Sequence, residues 1–165
     1  MNYWEDLTHT RNKLVVKLLW GFYLSAAIVV TIHLGEYMTH HIIGLALCLI
    51  ATFAVYRKKN IIFTMYLIIS IMFVYFLALL ELSPNFVNVI FVWLTLILSS
   101  LYQQYRIIML SGVYSAGITV YSFALHGTEL INNFQHTDMI YLVLFGAFMT
   151  VYFLFYTTFT RDLWV

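Results

Sequence analysis

The chain has 165 residues, of which 63% are hydrophobic and only 9% charged, with a mean hydropathy of +0.90. A water-soluble domain carries about 25% charged residues, so too little polar surface remains here to clothe a soluble core, and lipid is the expected solvent for most of the length. The net charge of +1 excludes the basic excess that draws a protein to nucleic acid, and the lone cysteine, Cys48, excludes an intrachain disulfide and reads as a small packing residue.

In chain order, residues 1–13 form a polar leader of mixed charge, with Tyr3 and Trp4 suited to a short helix at the membrane interface. An apolar run over about 16–35 follows. It is too long for the core of a cleaved signal peptide, and no small-x-small cleavage pattern follows it near Glu36, so it reads as a retained first span. The second span, about 40–56, is stopped by Arg57-Lys58-Lys59-Asn60. The third, 61–80, runs into the turn-forming Glu81-Leu82-Ser83-Pro84-Asn85. A fourth span over 86–105 and a fifth over 107–125 are separated only at Arg106. The polar interval His126–Asp138 precedes a sixth span, 139–159, and residues 160–165 read as the start of a cytoplasmic stalk. None of these runs alternates polar and apolar residues as a lipid-facing barrel strand must. Backbone groups in lipid must be paired within their own segment, so the spans are helical. The expectation is an all-α membrane protein, a single domain of six transmembrane helices.

The eight basic residues are Arg11, Lys13, Lys17, Arg57, Lys58, Lys59, Arg106 and Arg161. With six spans all of them fall on one side, while Glu36, Glu81, Glu129 and Asp138 fall on the other. By the positive-inside rule both termini are cytoplasmic, in a multi-pass protein of the cell membrane.

The polar residues of the outer side carry whatever chemistry the sequence offers. His33, Glu36, His40, His41, His126, Glu129, His136 and Asp138 gather there. His33 with Glu36 and His126 with Glu129 are each spaced i and i+3, which places them on one helical face, and Asp138 stands where a helix N-cap would be. Three readings stand side by side: ordinary polar residues where hairpins meet water; a metal or haem site, for which His33, Glu36 and His126 are the candidate ligands; and a proton sensor, since histidine titrates in the physiological range. No cofactor is required by any motif. Within the fifth span Ser111, Ser115 and Thr119 recur every four residues with Gly112 and Ala116 beside them, a small-residue stripe that lets another helix approach. No acidic or basic residue lies at the centre of a span, which argues against a charged ion path, and the broken helices that mark transporter sites are missing. Nucleophile, phosphate-loop and metalloprotease motifs are absent from the sequence, so an enzyme is not expected.

The sixth span ends as Phe-Leu-Phe-Tyr-Thr-Thr-Phe-Thr-Arg-Asp-Leu-Trp-Val without a glycine or proline stop. Six spans with both ends inside, short acidic outer turns and a last helix running on through Thr160-Arg161-Asp162-Leu163-Trp164 resemble the membrane input region of Gram-positive methyl-accepting chemotaxis receptors and related sensor kinases. That resemblance covers the layout rather than any motif. It implies a homodimer that signals by small shifts of the last helix to a cytoplasmic partner or to an output domain beyond residue 165. The function expected is sensory input and signal transduction. The alternatives are a small transporter or permease subunit using the hydroxyl stripe, and a metal- or haem-binding membrane protein.

Overall fold

The computed structural model describes residues 3–34, 38–130 and 136–163. It contains six helices: α1 (Tyr3–Leu34), α2 (Met38–Arg57), α3 (Ile61–Leu82), α4 (Phe86–Ser100), α5 (Tyr105–Leu130) and α6 (His136–Leu163). No strand occurs among the described residues. Two helices there, α3 and α5, are each long and apolar enough to cross a membrane. Many large apolar side chains stand exposed on the helices, among them Leu24, Ile28, Leu49, Phe53, Phe63, Val113 and Phe155, as lipid-facing positions would.

The polar leader is not a separate piece. It is the beginning of α1, a 32-residue helix about 48 Å long at 1.5 Å per residue. No glycine or proline interrupts Tyr3–Trp20, and Glu5 and Asp6 in the first turn complement the helix dipole. Thr8, Asn12, Val15, Val16, Leu19 and Tyr23 are buried at the three- and four-residue spacing of a single face. The polar Asn12 is tolerated within that face because its Nδ2 donates to the Ile61 carbonyl at 3.1 Å.

The breaks between helices follow local chemistry. Lys58 takes a left-handed φ of 49° after α2, the position that glycine usually fills at a helix end. Asn60 then opens α3, its Oδ1 accepting from the Phe63 amide at 3.2 Å. Asn85 caps α4, accepting from the Asn88 amide at 2.9 Å, and the Asn88 side chain turns back to donate to the Ser83 carbonyl at 2.7 Å. The fourth and fifth elements differ from the sequence expectation. α4 stops at Ser100 rather than 105 and spans 15 residues. Its exit tightens into i→i−3 bonds at Leu101, Tyr102 and Gln103, with Gln103 at a left-handed φ of 52°. α5 runs past residue 125 to Leu130, with a kink at His126 (φ −120°, ψ 16°). α6 already starts at His136, so Asp138 lies in its first turn and not at the N-cap.

The helices group into two compact units, Met1–Ala78 and Leu79–Val165. In the first, Phe22 and Tyr23 of α1 meet Tyr75 of α3 edge-on at centroid separations of 6.1 and 6.4 Å. Gly44 of α2 lies so close to Tyr23 that a Cβ would sit 2.5 Å from the ring. In the second, α5 packs against α4 and α6, and Leu80, Val89, Phe123 and Leu130 form a buried cluster.

Candidate functional site

The residues expected on the outer side divide sharply. Glu36 lies outside the described residues, as do the side chains of His33, His40, His136 and Asp138. His41, half-buried at the start of α2, has its Nε2 3.3 Å from the Thr31 hydroxyl of α1, and its own carbonyl accepts from the Tyr23 hydroxyl at 3.2 Å. It thus serves the α1–α2 hairpin.

His126 has the more telling surroundings. It sits at the kink of α5, where a helical backbone would have carried its side chain elsewhere. Nδ1 is 3.4 Å from Oε2 of Glu129, one turn on in the same helix. Nε2 is 3.8 Å from Oε2 of Glu81, in the last turn of α3. The latter distance is beyond hydrogen-bond range, and Nε2 is buried without a hydrogen-bond partner. The imidazole is 21% exposed, against 43% for Glu81 and 61% for Glu129, so water reaches the carboxylates more readily than the ring.

This arrangement has a definite chemical reading. Neutral imidazole has one N–H and one lone pair, whereas imidazolium has a donor on both nitrogens. A carboxylate on each side of the ring suits the second form, in which both nitrogens donate.

The chain matches no protein-family model, no curated protein and no solved structure. The geometry therefore carries the functional reading by itself.

Sequence spacing pairs His126 with Glu129, but the structure adds Glu81. Glu81 was visible only as an outer-side charge, since nothing local ties it to a residue 45 positions on. Among the described residues no group of three or more His, Cys, Asp and Glu is arranged to hold a metal ion.

The small-residue stripe of α5 lies in the seams of the second unit. Ser111, Gly112, Ser115 and Thr119 are buried and Ala116 half-buried. Ser115 donates to the Val92 carbonyl of α4 at 3.3 Å, and Thr119 accepts from the Trp93 indole at 3.1 Å. On α6, the Thr150 side chain fills the space over Gly112, and Gly146 lies directly against the Trp93 ring. α5 is therefore gripped from two sides, with the Ser115 and Thr119 hydroxyls engaged with α4.

Proposed function

We propose that this protein is a six-span membrane sensor, with both termini on the cytoplasmic side, that reads proton activity at its outer face and passes the change through α5 to α6. The observation that carries the reading is His126 held between Glu81 and Glu129 at a break in α5. Histidine side chains change charge between about pH 5 and 8, and the charged groups beside His126 are the carboxylates of Glu81 and Glu129. Gain of the proton closes the Glu81–His126 gap, and the buried seams of α5 convey the shift to α6. That helix continues as far as Leu163, in keeping with the stalk of the receptors whose layout the chain resembles.

The six-span reading rests on the segregation along the sequence of every Lys and Arg from Glu36, Glu81, Glu129 and Asp138; among the described residues α3 and α5 are the helices long and apolar enough to cross a membrane.

The test joins the whole chain to the output module of a chemotaxis receptor or sensor kinase and follows output while external pH is stepped from about 8 to 5, the window of histidine titration. Output changes in the native chain, and His126→Gln, which keeps a polar side chain without the titration, gives a flat response. An unaltered pH response in His126→Gln rejects the reading.

A further inference from the structure

The first unit contains a cavity of about 520 Å³, within the size range of small-ligand sites. Its lining is chemically lopsided. His9, Lys13 and Lys17 of α1 and Lys58 of the α2–α3 turn supply positive or protonatable groups, and no carboxylate is among the lining residues. The remaining wall is apolar and aromatic, including Val16, Trp20, Val55 and Tyr56. Trp20 is fixed there by its indole donating to Thr52 at 2.9 Å.

Two features of the basic lining stand out. His9 is only 6% exposed, and its Nε2 is buried with no hydrogen-bond partner beside Lys13 and Lys58. Lys58 occupies a left-handed backbone position where a side chain is disfavoured and glycine is the ordinary choice; the turn thus keeps a lysine at the cavity against backbone preference.

We propose that this cavity binds a phosphate-bearing anion with an apolar tail, namely the headgroup of an acidic membrane lipid. The lysines neutralise the phosphate, and the apolar wall receives the start of the acyl chains. Trp20 and Tyr56 are the residue types that favour the lipid–water boundary. That location rests on the six-span reading, whereas the anion site does not. His9 also reports occupancy. Burial, then Lys13 and Lys58, lower its proton affinity against a smaller opposing effect of Asp6; an anion in the cavity offsets the two lysines and returns His9 towards the protonated form.

The experiment titrates the full chain in an uncharged maltoside detergent with short-chain phosphatidic acid, short-chain phosphatidylcholine and inorganic phosphate, reading affinity by calorimetry and His9 protonation by ¹⁵N NMR. Phosphatidic acid is expected to bind about tenfold or more tightly than phosphatidylcholine and to raise His9 protonation; Lys13→Gln and Lys58→Gly are expected to weaken it by about fivefold each. Lys58→Gly relieves the backbone, so its loss of binding is not a loss of folding. Lys59→Gln, next in the chain but not lining the cavity, is expected to bind as the native protein does. Equal binding of phosphatidylcholine, or an equal loss in Lys59→Gln, overturns the site. Inorganic phosphate binding as tightly as phosphatidic acid overturns the lipid source and assigns the cavity to a soluble phosphate.

Discussion

His9 and His126 place the same side chain in opposite company. His9 is buried beside Lys13 and Lys58, which add to desolvation in holding its pKa below the ordinary 6.5. His126 stands between two carboxylates. The consequence for His9 has a definite sign. Between its lowered folded value and 6.5, the unfolded chain carries a proton that the folded chain does not, so stability rises with pH across that window. The contribution is complete above 6.5 and is lost as pH falls below it. Denaturation in detergent at a series of pH values is expected to show this slope, and His9→Gln to flatten it. Both histidines are plain in the sequence; what is not legible there is their company. His9, Lys13, Val16, Lys17 and Trp20 recur at helical spacing and foretell one face of the cavity, but the basic residues among them first read only as markers of membrane orientation. Lys58 joins them through the fold of a hairpin.

At the scale of elements, turns with strong local chemistry are readable and breaks without it are not. Arg57–Asn60 and Glu81–Asn85 stand out as polar intervals and do separate helices. Asn85 caps α4 through its contact with the Asn88 amide, so Asn85→Ala is expected to cost about 1 kcal/mol, measured as a lowered midpoint of thermal unfolding. The end of α4 is different. Residues 101–105 keep aromatic and long side chains, and the helix stops because Gln103 adopts a left-handed φ of 52°, a position with no glycine to betray it. The kink at His126 was likewise hidden, since the polar residues after it read as a loop and instead prolong α5 to Leu130. Packing makes its own demands at Gly146. A Cβ there would overlap the Trp93 ring, and Trp93 is held in place by Thr119. Gly146→Ala is therefore expected to destabilise the second unit by about 1–3 kcal/mol, the usual cost of overpacking, whereas Gly117→Ala, where an added Cβ meets nothing within 4 Å, is expected to be tolerated.

For the whole molecule, charge segregation makes the topology testable. With Cys48 replaced by alanine, a cysteine at Lys59 is expected to react with a membrane-impermeant thiol reagent only after the cells are opened, and one at Glu129 to react in intact cells; labelling of both from the same side contradicts six spans. The sensing claim turns on whether a proton at His126 moves α6. The most direct measurement places spin labels at Leu101 and Thr158, both exposed and both in the second unit, in the Cys48-free protein reconstituted in lipid. Inter-label distances are then recorded between about pH 8 and 5, the range over which histidine titrates. The distribution is expected to shift on acidification in the otherwise native chain and to stay fixed in His126→Gln; a distribution unmoved by pH, or moved equally in both, contradicts a proton sensor acting through α5 and α6.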